Sequence, residues 1–165
     1  MKTHLECVPC LLRQASEAIK MSTGDNVVRE ETLREVMEYL LRENWDKIIP
    51  ELATKVHRIV KKNTGNRDPY KQLKEKYNKA ASELYPELEL MVKNSEDRLL
   101  TAVKIAVAGN AIDVAQGTEI NLRQAVQKSL ESEFTINEMD QLERLTLKSK
   151  SILYLADNAG ETFFR

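Results

Sequence analysis

Residues 151–161, Ser-Ile-Leu-Tyr-Leu-Ala-Asp-Asn-Ala-Gly-Glu, are the stretch from which the fold of this chain is predicted. The first half is apolar and partly β-branched, which favours a short buried strand over residues 152–156. The second half adds two carboxylates, an amide and a glycine directly after that strand. Because open α/β sheets bind ligands beyond the carboxyl ends of their strands, this order predicts a polar site there.

The polar half of the stretch has two interpretations. Asp157 and Asn158 offer hard oxygen donors of the kind that Mg²⁺, Mn²⁺ or Ca²⁺ prefers. Gly160 lets the backbone turn, or approach a ligand, without a Cβ penalty. However, Asp, Asn and Gly are also the commonest turn residues. On this stretch alone, a metal site and an ordinary turn after a strand both stay open.

Composition limits the class of protein. The chain has 165 residues, of which 42% are hydrophobic and 31% charged, so we expect a soluble globular protein with a real core. The net charge of −1 gives no electrostatic reason to expect nucleic acid or an anionic membrane as partner. The N-terminus has no apolar segment typical of a signal peptide, and two cysteines do not make a secreted disulfide framework. A cytoplasmic location is the default expectation.

The rest of the chain has the apolar periodicity of helices. The spacing predicts seven of them before residue 149, so the chain is expected to be a helical array that ends as a sheet begins. Pro86 is expected to kink or end the fourth helix. The fifth helix is apolar nearly all round and is expected to be central. With no second strand in this chain, the strand over residues 152–156 should be an exposed edge or pair with another chain, which predicts a homo-oligomer.

The fifth helix runs into Gly109-Asn110-Ala111-Ile112-Asp113. A helical glycine costs about 1 kcal/mol relative to alanine, and polar groups in an apolar neighbourhood need partners. One interpretation is a helix end with Asn110 as a local cap. The other is that Asn110 and Asp113, one helical turn apart, face the same site as Asp157 and Asn158.

The pair Cys7 and Cys10 has three interpretations. Thiolates at i and i+3 on one helix face can share a metal ligand set, to which His4 adds a nearby donor. A redox role requires a strand-end setting that the surrounding sequence does not resemble. The third interpretation is two buried cysteines that act as small hydrophobic residues.

Taken together, Gly109-Asn110-x-x-Asp113 followed by Asp157-Asn158-Ala159-Gly160-Glu161 resembles the damage-control phosphatase family, formerly listed as a domain of unknown function. Cys7-Val8-Pro9-Cys10 resembles the subfamily with an N-terminal Cys-x-x-Cys. The three motifs occur in family order across nearly the whole chain.

The resemblance implies the site residues. Asp157 and Asn158 would be the metal ligands, with Mn²⁺, Ni²⁺, Mg²⁺ or Co²⁺ as the cation. Asp157, Asn158 and Glu161 would be the catalytic residues, and Glu161 would touch the substrate or hold the loop. Asn110 and Asp113 would line the pocket or support the ligands. The implied substrate is a small phosphorylated metabolite, such as a sugar phosphate or a damaged phosphometabolite, that is hydrolysed as a phosphate monoester.

The resemblance also implies the domains. A helical bundle over residues 1–148 would lead, at residues 149–165, into the first strand of a Rossmann-like α/β metal-binding domain. Family members continue into further strands that carry a third acidic ligand and a phosphate-binding lysine, so this mainly α chain is expected to be an N-terminal portion with weak metal binding alone. Two other functions stay open: a helical interaction module without catalysis, and a small metal or redox protein that uses Cys7 and Cys10.

Overall fold

The computed structural model describes residues 3–110 and 121–164. In these ranges the chain forms seven α-helices and a 3-10 turn: α1 Cys7–Ser22, α2 Asn26–Arg42, α3 Ile49–Thr64, α4 Lys71–Asn94, α5 Arg98–Asn110, α6 Leu122–Glu131, α7 Met139–Lys148 and the turn Glu161–Phe163. They belong to two compact units, residues 3–72 and residues 73–110 with 121–164. The predicted domain boundary after residue 148 stays a prediction. Among the described helices, none has the length and apolar character required to cross a membrane.

The first unit is built by three helices whose ends have clear sequence causes. Asp25 caps α2, because its carboxylate accepts hydrogen bonds from the backbone N–H groups of Val27 and Val28. Pro50 lies in the first turn of α3, where its missing N–H costs nothing. Gly65 ends α3 in a left-handed conformation, φ 69°. The three helices pack around one apolar cluster: Leu11, Ala15, Ala18, Ile19, Val36, Leu40, Leu52, Val56 and Val60.

The second unit contains most of α4. The expectation that this helix ends at Pro86 is wrong, and the alternative, a kink there, stays a prediction. The helix continues through Pro86 to Asn94. A proline inside a helix costs roughly 3 kcal/mol. Leu84 and Leu88, on either side of it, are both buried in the core, and each such side chain contributes about 1.5–3 kcal/mol. Packing on both sides of the proline therefore offsets the lost backbone hydrogen bond.

The other elements of the second unit place the polar loop. Helix α5 packs against α6 and against the 3-10 turn that follows residue 160. The core of the unit combines residues of these elements with α4: Tyr77, Ala81, Leu84, Leu88, Ile105, Ala108, Leu122, Val126 and Phe164. Helix α7 buries no residue. The C-terminal turn is thus held in the core through Phe164.

The predicted strand, and with it the start of a Rossmann-like sheet, is wrong. Residues 152–156 carry no strand assignment, and the described ranges contain helices and turns but no strand. Ile152, Leu153 and Leu155 are 70%, 85% and 81% exposed. A strand requires a neighbour to complete its ladder of hydrogen bonds, and none of the described residues provides one. The fold described here is mainly α, and the expected self-association stays a prediction.

Candidate functional site

The backbone of residues 157–161, hereafter the 157–161 loop, reverses direction at a glycine. Gly160 adopts φ 86°, a left-handed conformation that side chains with a Cβ rarely accept. The 3-10 turn Glu161–Phe163 follows at once, and Phe164 is buried. The loop therefore leaves an exposed segment at Asp157 and enters the core at Phe164.

Glu161 is turned into this loop and is only 4% exposed. Its Oε2 accepts hydrogen bonds from the backbone N–H groups of Asp157, at 2.8 Å, and Asn158, at 2.9 Å. The Tyr154 hydroxyl donates to its Oε1 at 3.3 Å. Hydrogen bonds to a carboxylate are about twice as strong as neutral ones. These are the contacts of a side chain that fixes the loop's shape; a direct part in catalysis stays a prediction.

Asn158 joins the loop to the end of α5. Its side-chain Nδ2 donates to the Asn110 carbonyl at 3.3 Å and to Asn110 Oδ1 at 3.1 Å. The predicted approach of Asn110 to Asn158 is thereby confirmed, across 48 residues of sequence. With Nδ2 committed to Asn110, the amide oxygen Oδ1 of Asn158 is the atom left to meet a ligand. Asp113, the other residue predicted from this motif, lies outside the described residues.

Asp157 is exposed at the start of the loop, next to Asn158. A carboxylate and an amide oxygen form a hard donor pair, which fits Mg²⁺ or Mn²⁺. No group of three or more His, Cys, Asp or Glu side chains within residues 3–110 and 121–164 is arranged to hold a metal ion. The described residues therefore fit a divalent cation as two of its ligands and leave the rest of its coordination shell to other groups.

Cys7 and Cys10 occupy the first turns of α1, in the other unit. The Cys7 sulfur accepts from the backbone N–H of His4 at 3.4 Å, and the Cys10 sulfur from the Gln14 side-chain amide at 3.6 Å. Among the described residues these two cysteines take part in no three-donor metal group. Their role stays a prediction.

Two contacts at the loop were not predicted from the sequence. The side-chain Oδ1 of Asn78, on α4, accepts the backbone N–H of Gly160 at 2.6 Å. Gly109, on α5, lies so close to Phe164 that a Cβ added there would sit 2.8 Å from the Phe164 Cβ. Asn78 gives no signal in the sequence, because a polar residue on a charged helix face looks solvated. Gly109 was noted as part of a motif, and close packing supplies its physical reason.

The sequence family described as the damage-control phosphatase ARMT1-like domain matches residues 3–164. The chain belongs to this damage-control phosphatase family. The motifs at Asn110 and at residues 157–161 thus lie inside the matched region.

Three relatives place the chain within the family. It is 35% identical to an uncharacterised protein of Methanocaldococcus jannaschii, over 99% of this chain and 56% of the relative. It is 31% identical to a damage-control phosphatase of Archaeoglobus fulgidus, over 99% of this chain and 58% of the relative. A crystal structure of a DUF89 family protein from Pyrococcus horikoshii matches with a TM-score of 0.82 and 26% identity, over 99% of this chain and 57% of that chain. The chain therefore spans somewhat more than half the length of these three proteins.

Proposed function

We propose that this chain is the part of a metal-dependent phosphatase that carries Asp157 and Asn158 as ligands of a divalent cation, Mn²⁺, Ni²⁺, Mg²⁺ or Co²⁺. The substrate class is a phosphate monoester of a small metabolite, such as a sugar phosphate or a damaged phosphometabolite. Membership of the damage-control phosphatase family supports the reaction class. The chemistry of the loop supports the cation.

The observation that carries the proposal is where the loop's backbone N–H groups point. Loops that hold phosphate directly do so with N–H groups directed at the anion. Here the N–H groups of Asp157 and Asn158 donate to Glu161, that of Gly160 to Asn78, and that of Glu161 to the Asn158 carbonyl. These four donors are used within the protein and are not directed at a ligand.

The charge of the loop also favours a bound cation over a phosphate held directly by the protein. Two carboxylates, Asp157 at the surface and Glu161 beneath it, lie within five residues. A phosphate monoester is an anion, so it is repelled from this surface unless a cation lies between them. The side-chain oxygens of the exposed Asp157 and the half-buried Asn158 are the groups available to hold such a cation. A bound divalent ion would neutralise the phosphoryl oxygens and orient an attacking water.

The assignments of the remaining residues are also part of the proposal. Asn110 accepts both hydrogen bonds of the Asn158 Nδ2, so that Oδ1 of Asn158 would be the atom available to hold a cation. Glu161 fixes the backbone conformation at the two ligand residues by accepting both of their backbone N–H groups. Asp113 is predicted to support the same pocket.

The test is phosphate release from a generic aryl phosphate by the intact protein, with and without Mn²⁺. The proposal expects release that depends on the metal and is lost on chelation. Equal rates with and without metal would contradict it. Glu89→Gln provides a matched control, because Glu89 lies on α4 in an exposed ion pair with Lys93 at 3.0 Å, and losing that pair should leave the rate unchanged.

A further inference from the structure

The contact between Asn78 and Gly160 connects the 157–161 loop to α4. The Asn78 Oδ1 accepts the Gly160 backbone N–H at 2.6 Å, across 82 residues of sequence. Gly160 is buried, so its N–H group needs an acceptor within the protein. Its left-handed φ of 86° sets the direction in which that N–H points. Asn78 meets it from a helix rather than from the loop itself.

The other hydrogen bonds of the loop fix its shape or hold a single side chain, rather than its position on the protein. Those to Glu161 come from residues three, four and seven positions away, so they fix the shape of the loop but not its position on the protein. The bonds to Asn110 hold one side chain, that of Asn158. The bond to Asn78 holds the backbone, at the residue where the loop reverses direction. Shape and position of the loop therefore depend on different residues.

Helix α4 is a firm support at this point. Tyr77 and Ala81, which flank Asn78 in sequence, are 4% and 0% exposed within the core of the second unit. Asn78 itself is exposed. Asparagine is a poorer helix former than alanine, and an exposed position offers it no packing to compensate. The hydrogen bond to Gly160 explains why an asparagine stands at this position.

We propose that Asn78 is a positioning residue of the site: by accepting the Gly160 N–H from α4, it fixes where the 157–161 loop presents the oxygens of Asp157 and Asn158. Its effect on a cation rests on the function proposed above; its effect on the loop does not. Asn78 acts through the loop and does not touch the substrate. Replacing Asn78 should therefore make the loop more mobile and lower the affinity of Asp157 and Asn158 for a cation, without unfolding the helices.

The test compares three variants of the intact protein. Asn78→Ala removes the acceptor, and Asn78→Asp keeps an oxygen in its place. Asn94→Ala makes the same chemical change at the far end of α4, at an exposed position. Three quantities are measured on each: amide exchange at Gly160 by NMR, Mn²⁺ affinity by titration, and thermal unfolding by far-UV circular dichroism.

In Asn78→Ala we expect Gly160 to exchange roughly fivefold faster, which corresponds to the loss of one neutral hydrogen bond. Mn²⁺ should bind about tenfold more weakly, as is usual when support of a ligand residue is lost. Asn78→Asp should restore slow exchange, and Asn94→Ala should match the wild type in all three measurements. A largely unchanged unfolding curve for Asn78→Ala would separate positioning from a merely structural role.

Three exchange results would each overturn the inference: wild-type exchange at Gly160 in Asn78→Ala, faster exchange spread evenly over α4, or failure of Asn78→Asp to restore protection. If the wild-type protein binds no Mn²⁺, the proposed function fails, and exchange at Gly160 alone decides the role of Asn78. If Mn²⁺ binds equally well to the wild type and Asn78→Ala, the inference fails while the proposed function stands.

Discussion

Replacing Glu161 tests whether one buried carboxylate holds the candidate site together. Its Oε2 accepts the backbone N–H groups of Asp157 and Asn158 at 2.8 and 2.9 Å, and its side chain is 4% exposed. Glu161→Ala removes the acceptor for both donors. Glu161→Gln keeps an oxygen of the same size but removes the charge. The two variants therefore separate the loss of hydrogen bonds from the loss of charge.

The magnitudes follow from these contacts. A buried N–H without a partner costs about 1–3 kcal/mol, and Glu161→Ala leaves two of them. Because Asp157 is exposed and water can replace part of the lost bonding there, we expect the free energy of unfolding to fall by about 2–4 kcal/mol. Glu161→Gln replaces two hydrogen bonds to a charge, each about 1.5–3 kcal/mol, with neutral ones of about 0.5–1.5 kcal/mol. Each bond is thereby weakened by about 1–1.5 kcal/mol, so the expected loss for the two is about 2–3 kcal/mol. The main expected result is that the free energy of unfolding increases from Glu161→Ala to Glu161→Gln to the wild type.

The assay is urea unfolding followed by circular dichroism, together with amide exchange over residues 154–164 by mass spectrometry. Glu89→Gln is the matched control, because Glu89 forms an exposed i,i+4 ion pair with Lys93 at 3.0 Å. Exposed pairs contribute about 0–1 kcal/mol. If Glu161→Ala unfolds at the same urea concentration as this control and its amides exchange at wild-type rates, Glu161 does not hold the loop.

Three further changes test other parts of the molecule. Gly109→Ala would place a Cβ 2.8 Å from that of Phe164; overpacking of about 1–3 kcal/mol should exceed the gain of about 1 kcal/mol in helix propensity, so urea unfolding should show a net loss, whereas Gly24→Ala, with open space around it, should not. Burial lowers the pKa of His57 below its ordinary value near 6.5. The stability contributed by its neutral form is present above that value and is lost as pH falls through the lowered pKa. The free energy of unfolding should therefore decrease from pH 7 to pH 5, and this decrease should be smaller in His57→Phe. Asp157→Ala should abolish metal-dependent phosphate release with the helices intact by circular dichroism, because an effect worth several kcal/mol disappears with the cation; wild-type turnover at every Mn²⁺ concentration would contradict the ligand assignment.

The helices of this chain are largely predictable because their evidence is local. Each has a repeating apolar face, and most ends carry a cap or a breaking residue, so neighbouring residues suffice to predict it. The error at Pro86 arose because the buried leucines around it belong to a core that no local pattern reports. The error at residues 152–156 has a related cause. An apolar, β-branched segment favours an extended backbone, but whether it becomes a strand depends on a partner elsewhere.

The contact between the two motifs was predictable from the sequence, and its support was not. Asn110 was expected near Asn158 because the residue types and spacing resemble a family motif, and Asn110 does meet Asn158. The roles of Asp157 and Asn158 stay predictions. Asn78 could not be found in this way, since its contact lies 82 residues away and its helix face is polar. The packing of Phe164 against α5 could not be predicted from the sequence either, because it depends on the tertiary structure. A motif predicts candidate site residues, whereas the residues that hold them in place are set by the fold.

The long separations of these contacts also have a consequence for folding. The hydrogen bonds that fix the 157–161 loop to α5 and α4 join residues 48 and 82 positions apart. Closing a segment of chain costs entropy that rises with its length, and this cost must be met before the contact forms. Helices, whose contacts are four residues apart, meet no such barrier. We therefore expect the loop to be the last part of its unit to form, an order that time-resolved amide exchange at Gly160 measures directly.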